Sequence, residues 1–282
     1  MIDKRSSLTI LHEDNSVFSD HSHKLAAFGR DNLTLDLTAA EDNLYVGFEK
    51  PIHSFYIDIP TPDGGEGSLT LEYWNGSSWV STFELSDDTF GLYRSGFVRW
   101  RNSEKNTISD QAENEVNGIK KFWYRLSFDT NRTVGVSGLN LVFSDDYELS
   151  LEQPFISDSE FLGSASSHIK THAAVRREIL QKFNDKDYFK YDDETGRKED
   201  INAWDLLDID EVRLAATYLA LSKIYSQLSD NPEDVWNEKS GKYKEKYDKF
   251  INLARLSVDF NDDGIKDDAE NSVTFKSRIL TR

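Results

Sequence analysis

The chain has 282 residues, which suits two domains better than one. Hydrophobic residues make up 38% of it, with 17 Phe, 12 Tyr and 6 Trp, which excludes global disorder. It contains no cysteine, so disulfides, thiol catalysis and cysteine-ligated zinc are excluded. The net charge of −18 repels phosphate backbones and argues against specific binding of DNA or RNA. This acidity either keeps the protein in solution or lines a surface past which nucleic acid slides.

The sequence shows neither a signal peptide nor a membrane-spanning segment. Residues 1–7 lack the apolar segment of a signal peptide. Elsewhere no stretch approaches the ~20 apolar residues that span a bilayer. We therefore expect a protein without a membrane partner, made in the cytoplasm and either kept there or assembled there into something larger.

Short runs of alternating hydrophobicity, separated by turn residues, occupy the first half of the chain. They predict strands at residues 8–11, 33–37, 44–48, 54–59, 68–74, 79–85, 96–101, 122–128 and 139–143. Residues 60–65 read as a loop, and Asn75-Gly76 is typical of a type I′ hairpin. Regularly spaced short strands of this kind predict an antiparallel, jelly-roll-like β-sandwich over residues 1–150.

After about residue 157 the hydrophobic period becomes that of helices. The apolar spacing predicts helices at residues 166–183, from Asp208 onward, and at residues 233–256. Asp208 and Glu211 have the spacing of a capping box, and Asn231-Pro232 signals the start of the third helix. An apolar stripe that includes Tyr243 and ends near residue 258 is suited to contacts with neighbouring subunits.

These patterns place an α-helical bundle at residues 151–282. The polar residues 184–200 read as a loop or tip, and residues 148–158, with Pro154, read as the linker between the two domains. The predicted fold class is therefore α+β with segregated domains, an antiparallel β-sandwich followed by a helical bundle.

The most specific local signal is an acidic segment near the C-terminus, residues 259–270. Its oxygen-bearing side chains fall at positions 1, 3, 5, 9 and 12 of an EF-hand-like loop, and Gly264 occupies position 6. The candidate calcium ligands are Asp259, Asn261, Asp263, the backbone carbonyl of Ile265, Asp267 and Glu270. Lys266 stands where EF-hands usually have an apolar residue. The segment either holds a single Ca²⁺ or is an acidic, solvated turn.

Histidines offer no recognisable catalytic or metal motif. His168 and His172 are four residues apart, but Ile169 stands where the His-Glu-x-x-His motif has glutamate. We expect both to lie on an exposed helical face. His21 and His23 have no acidic or serine partner at a diagnostic spacing. No phosphate-binding glycine loop or nucleophile elbow occurs, so we expect neither an enzyme nor catalytic residues.

Aromatic residues cluster in residues 73–79, which contain Tyr73, Trp74 and Trp79. Two more tryptophans, Trp100 and Trp123, lie further along the chain. One interpretation is a sugar-stacking platform of a carbohydrate-binding module. The other is that Tyr73, Trp79 and Trp100 are core and hairpin residues, since Trp is mostly buried in domains of this kind. The core interpretation is the one we expect to hold.

Several of these segments together resemble a β-sandwich module of structural proteins in tailed bacteriophages. They are residues 73–79, 87–89, 95–100 and 122–126, and the resemblance covers residues 44–143. The second half, residues 166–282, resembles the head-tail connector (adaptor) proteins of these phages. That similarity lies in the helices from Asp208 and from Tyr243, and in the loop 259–270 with the strand-like residues that follow. The N-terminal sandwich is a departure, because minimal adaptors lack it.

The resemblance implies a structural virion protein without catalytic residues. It implies a homo-oligomeric ring, usually twelvefold, beneath the portal protein, which extends the DNA channel and offers a platform for tail or neck proteins. DNA would pass through without specific binding. The basic tail, with Lys276, Arg278 and Arg282, could dock on the ring above. The protein would lie at the head-tail interface of the virion. The alternative is a carbohydrate-binding module on a virion or secreted complex.

Overall fold

The computed structural model describes residues 8–28, 32–101, 110–163, 165–185, 189–191, 198–260, 262, 264 and 273–274. Within these residues the chain divides into two compact units. Unit 1 runs to Leu141 and includes residues 262 and 264, and unit 2 runs from Val142 to Phe260 and includes residues 273–274. Antiparallel sheets in the N-terminal part and helices in the C-terminal part confirm the predicted mixture of segregated β and α structure.

Unit 1 consists mainly of antiparallel strands. Its elements are β1 (Thr9–Asp14), β2 (Val17–Asp20), α1 (Ser22–Leu25), β3 (Leu33–Leu37), β4 (Asn43–Phe48), β5 (Ser54–Asp58), β6 (Leu69–Trp74), β7 (Trp79–Ser81), β8 (Phe83–Asp87), β9 (Gly96–Arg101), β10 (Asn114–Val116), β11 (Ile119–Phe128), β12 (Arg132–Val136) and β13 (Gly138–Asn140). The large sheet has the order β2-β1-β4-β11-β6-β7, and β10 pairs with β11. A smaller sheet has the order β13-β5-β9-β8, and β12 pairs with β3.

Alternation of side chains fixes which face of a strand is buried. In β6, Leu69, Leu71 and Tyr73 are buried, whereas the residues between them are more exposed. Successive side chains of a strand point to opposite faces, so these three share the core face of the large sheet. The smaller sheet is less amphipathic, since all five residues of β5 are buried.

One predicted strand, residues 79–85, proves to be two strands in different sheets. β7 pairs with β6 of the large sheet, whereas β8 pairs with β9 of the smaller one. The chain leaves the large sheet at Thr82, whose amide and hydroxyl both donate to the carbonyl of Leu71, at 3.0 and 3.2 Å. The prediction missed this crossing because the hydrophobic pattern continues through it.

Three further strands of unit 1 escaped prediction for different reasons. β2 is mostly exposed and therefore shows no alternation, β10 has only three residues, and β12 contains Arg132 and Gly135. The hairpin at Asn75-Gly76 is present between β6 and β7. Its turn type was predicted wrongly, because only Gly76 has a positive φ, +93°, whereas type I′ needs two such residues.

Unit 2 is built mainly from helices. Its elements are α2 (Asp146–Glu152), α3 (Ser159–Leu162), α4 (Ile169–Asn184), β14 (Phe189–Tyr191), β15 (Lys198–Asp200), a 3-10 turn (Ala203–Asp205), α5 (Asp210–Leu228), α6 (Val235–Leu253), β16 (Arg255–Leu256) and β17 (Val273–Thr274). α5 is the central helix and packs against α2, α4 and α6. β14 and β15 form a hairpin within the segment predicted as a loop or tip. Among the described residues, no helix combines the length and apolar character needed to cross a bilayer.

The predicted linker, residues 148–158, is wrong. Most of it belongs to α2 and to the turn that follows, and Leu149 and Ile156 are buried in unit 2. Asp145 caps the helix, because its carboxylate accepts a hydrogen bond from the amide of Glu148 at 2.9 Å. The single Pro154 suggested a linker, but Leu149 and Ile156, on either side of it, are anchored in the core.

The predicted capping box at Asp208 and Glu211 is also wrong. α5 begins at Asp210, and the carboxylate of Glu211 instead accepts hydrogen bonds from the amide and hydroxyl of Ser257, at 2.6 and 2.8 Å. A tertiary contact therefore takes the side chain that local spacing assigned to the cap. The cap of α6 is Asp234, whose carboxylate accepts from the amide of Asn237 at 2.7 Å.

Candidate functional site

The candidate calcium loop is described only in part. Asn261, Asp263, Ile265, Asp267 and Glu270 lie outside the described residues. Asp259 is fully buried, and its amide donates to the carbonyl of Asp205 at 2.8 Å. The part of the chain that is described holds no group of three or more His, Asp or Glu residues arranged for a metal ion. The calcium site therefore stays a prediction.

Two residues inside the same loop have left-handed backbone conformations. Asp262 has a φ of 60° and Gly264 a φ of 69°. The carboxylate of Asp262, which was not among the predicted ligands, forms an ion pair with Lys50 at 2.9 Å. A positive φ of this kind is readily adopted by glycine, and Gly264 occupies position 6 of the predicted loop.

The prediction that His168 and His172 lie on an exposed helical face is wrong. Both are buried in unit 2. His172 shares the buried face of α4 with Val175, Ile179 and Phe183, which follow it at helical spacing. The prediction failed because the polar partners of these histidines lie far back in the sequence.

Those partners are Ser144 and Asp146. The hydroxyl of Ser144 lies 2.8 Å from Nδ1 of His172, and Nε2 of His172 lies 3.1 Å from the carboxylate of Asp146. The amide of His168 donates to both oxygens of the same carboxylate at 3.1 Å, and its Nε2 donates to the carbonyl of Ile156 at 2.9 Å. Burial opposes ionisation of Asp146, but the hydrogen bonds and charges of His172 and His168 outweigh it and lower the pKa of the carboxyl.

A Ser-His-carboxylate series of this kind has the composition of a nucleophile with its base. Ser144, however, is fully buried, so no substrate carbonyl can reach its hydroxyl in this conformation. The series instead satisfies the polar groups of a buried segment and ties the start of unit 2 to α4. We interpret it as structural.

The aromatic residues of unit 1 are mostly core residues, as the core interpretation predicted. Tyr73, Trp100 and Trp123 are buried. Trp74 and Trp79 are half-buried, and their rings lie 5.7 Å apart at an angle of 70°. The guanidinium of Arg125 covers the Trp79 ring at 4.9 Å. Two rings so inclined do not form one flat platform for a sugar.

The apolar stripe of α6, predicted to contact neighbouring subunits, is buried within unit 2. Tyr243, Tyr247 and Ile251 are all inaccessible or nearly so. The ring of Tyr243 stacks on Tyr225 of α5, with centroids 5.7 Å apart and planes 10° apart. These residues hold α6 on α5 and are therefore not available for contacts with other subunits. The basic residues Lys276, Arg278 and Arg282 of the predicted docking tail lie outside the described residues.

Large apolar side chains are exposed at α2 and in the turn after it. Tyr147, Leu151 and Phe155 have exposed fractions of 61%, 62% and 72%, and we call them the α2 patch. Tyr147 and Leu151 are one helical turn apart, so they lie on the same side of α2. No periodic argument predicted this patch, because its segment had been read as a linker.

The other side of α2 is held firmly in unit 2. Glu148 pairs with Arg213 of α5 at 3.2 Å, and Glu152 pairs with Lys246 of α6 at 3.3 Å. The side-chain amide of Gln153 is hydrogen-bonded to the hydroxyls of Tyr243 and Tyr225, both at 2.8 Å. These contacts keep the α2 patch turned towards the solvent.

Lysines form a row along α6 beside the buried stripe. The row consists of Lys239, Lys242, Lys246 and Lys249, and its spacing of three or four residues puts the four on one side of the helix. Val235 and Leu253 continue the same spacing at the two ends, with exposed fractions of 54% and 58%. We call the four lysines the lysine row.

No protein-family model matches the chain, and no curated protein matches it. Among solved structures, it is similar to a family 89 glycoside hydrolase from Clostridium perfringens in complex with 2-acetamido-1,2-dideoxynojirmycin. The sequence identity is 12% and the TM-score 0.27, over 67% of this chain and 22% of the hydrolase chain. The chain thus matches about a fifth of that enzyme's length, and a likeness at this level carries no argument about function.

Proposed function

We propose that the protein is a non-catalytic structural subunit that works in a multi-copy assembly. In the setting that the sequence resemblance implies, this assembly is a connector ring at the head-tail interface of a tailed-phage virion. It would bind the portal protein above and tail or neck proteins below. The observation that carries the proposal is the α2 patch.

The size of the exposed side chains makes the α2 patch unusual for a surface that stays in water. Burying a Leu or Phe side chain contributes about 1.5–3 kcal/mol, and all three residues of the patch are more than half exposed. The helix that carries two of them is anchored by ion pairs on its other side, so the patch does not fold away. Large exposed apolar side chains on a rigid element are typical of protein–protein interfaces.

Repetition of one interface suits a ring. When the rotation between neighbouring copies closes, a single heterologous contact builds the whole assembly. The charge of −18 per copy multiplies in such a ring, and an acidic channel wall would let DNA pass without trapping it. A catalytic role has less support, because Ser144, whose hydroxyl contacts His172 as a nucleophile would contact its base, is fully buried.

For unit 1 we propose that the large and smaller sheets pack face to face as a jelly-roll-like sandwich. Tyr124 of the large sheet and Trp100 of the smaller sheet support this arrangement, since their ring centroids lie 4.8 Å apart. The hydroxyl of Tyr124 also exchanges hydrogen bonds with the backbone of Ile52 at 2.8 and 2.9 Å. Such a sandwich would decorate the outside of the ring.

Mass photometry of the full chain, alone and mixed with portal rings of the same phage, tests the proposed function. We expect ring-sized particles, at least in the mixture. The variant Leu151→Ser should reduce them strongly while its circular dichroism spectrum stays that of the wild type. The matched control is Leu214→Ser, which removes an equally apolar, exposed leucine from α5. A chain that stays monomeric under both conditions would rule the proposal out.

A further inference from the structure

The segment that carries the α2 patch is acidic in sequence, and two of its carboxylates, Glu148 and Glu152, are already paired with Arg213 and Lys246. Residues 145–160 contain six acidic residues and no lysine or arginine. Two of the six, Asp158 and Glu160, are exposed beside the patch in the sequence. Any surface that covers the patch must therefore bring positive charge to its rim as well as apolar area to its centre.

A surface with both properties is present on the same chain. α6 carries five lysines against three acidic residues, on a protein whose net charge is −18. A lysine side chain offers an aliphatic stem to apolar neighbours and an ammonium group to carboxylates. The lysine row also ends in the exposed apolar side chains of Val235 and Leu253.

We propose that the α2 patch of one copy packs on the lysine row of a second copy. The inference rests on the proposed function and names the surface that the patch meets. The stems of the lysines would cover Tyr147, Leu151 and Phe155, while the ammonium groups of Lys242 and Lys249 would face the acidic rim. Lys246 keeps its ion pair with Glu152 of its own copy. Each copy carries both surfaces, so the contact can repeat from copy to copy.

The dimensions of the two surfaces agree. At a rise of 1.5 Å per residue, Lys239 and Lys249 are about 15 Å apart along α6. Tyr147 and Leu151 are about 6 Å apart along α2, and Phe155 extends the patch in the following turn. The row is therefore long enough to span the patch.

Charge excludes the simpler pairing of α2 with α2. That contact would place the acidic rims of two copies against each other, and like charges across an interface cost several kcal/mol. The aromatic rings under the row also favour an ordered surface. The ammonium group of Lys239 lies 4.8 Å from the Trp236 ring, and that of Lys246 lies 4.6 Å from the Tyr218 ring.

Charge reversal on each side, alone and in combination, tests the contact. The variants are Asp158→Lys with Glu160→Lys on the rim, Lys242→Glu with Lys249→Glu on the row, and all four changes together. We expect each pair to weaken self-association in sedimentation experiments roughly tenfold, and the four together to restore most of it. Lys170→Glu, which reverses an exposed lysine of α4, is the control and should leave association unchanged.

The outcomes separate this contact from the broader proposal. If the wild type associates and both reversed pairs associate equally well, the contact is wrong although the chain still assembles. If the wild type never associates, alone or with portal rings, both proposals are wrong. If instead the wild type binds duplex DNA and the Lys242→Glu, Lys249→Glu pair loses only that binding, the row serves nucleic acid and the contact is wrong. Circular dichroism shows that each variant is folded.

Discussion

At the residue scale, Gly47 in β4 shows how a missing side chain lets an aromatic ring pack on a sheet. Gly47 stands directly opposite Trp123 of β11, and a Cβ atom at Gly47 would lie 2.6 Å from the indole ring. We expect Gly47→Ala to lower the free energy of unfolding by about 1–3 kcal/mol, because the buried ring has no room to move. Urea unfolding followed by Trp fluorescence measures the change.

The matched control is Gly241 in α6. A Cβ there would meet no atom within 4 Å. Gly241 lies in the middle of α6, and it is exposed to solvent. Gly241→Ala should therefore raise the free energy of unfolding by about 0.5–1 kcal/mol, since alanine loses less backbone entropy in a helix. Equal effects of the two substitutions would contradict this account of Gly47.

His53, just before β5, predicts a dependence of stability on pH. Burial lowers its pKa from 6.5 to about 4, against the effect of a hydrogen bond with the backbone of Gly264. Between these two values the unfolded chain binds a proton that the folded chain does not. The stabilisation is therefore complete above pH 6.5 and is lost as the pH falls towards 4, by on the order of 2–3 kcal/mol.

Comparison with His53→Gln isolates this contribution from that of the many carboxylates. The difference in unfolding free energy between wild type and variant should shrink between pH 7 and pH 4. His23→Gln changes an exposed histidine of α1 and is the control. A difference that stays constant with pH would contradict the lowered pKa of His53.

At the element scale, local patterns predicted elements well but not their ends or their partners. β3 and β9 have the predicted bounds, and α4 and α6 are within a few residues of them. What escaped depends on contacts distant in sequence. At Thr82, which donates a hydrogen bond to the carbonyl of Leu71, the chain passes from one sheet to another. The buried Leu149 anchors a helix where a linker was expected.

Glu211 gives this distinction a measurable form. If the carboxylate of Glu211 only capped α5, Glu211→Ala would lower the free energy of unfolding only slightly. Because it accepts two hydrogen bonds from Ser257, we expect Glu211→Ala to lower the free energy of unfolding by about 1–3 kcal/mol. Asp208→Ala removes a single bond to the amide of Asp210 and should cost less. Thermal unfolding would contradict this account if Asp208→Ala destabilised the protein more than Glu211→Ala.

At the scale of the whole molecule, the sequence predicted the order of the β-rich and helical parts but not the candidate interface. The buried faces of α5 and α6 follow from hydrophobic periodicity. The α2 patch does not, because an exposed Tyr147 or Phe155 has the same sequence pattern as a buried one. Only the packing of Leu149 and Ile156 decides which side of the segment faces water.

The calcium prediction also belongs to this scale, because its ligands would come from one continuous loop. Calorimetry should show one site that binds Ca²⁺, lost in Asp263→Ala and in Glu270→Ala, since each removes a carboxylate ligand. Glu245→Ala removes an exposed carboxylate from α6 and should leave binding unchanged. If neither Ca²⁺ nor a chelator changes the heat or the melting temperature, the loop is an acidic turn.

The central claim is that the α2 patch is buried between copies. Since the chain has no cysteine, Leu151→Cys introduces a unique thiol, whose maleimide labelling can be timed in assembled and dissociated protein. We predict slow labelling in the assembly and fast labelling after dissociation, whereas Lys170→Cys on α4 should react equally fast in both. Equal labelling of Leu151→Cys in the two states would contradict the claim.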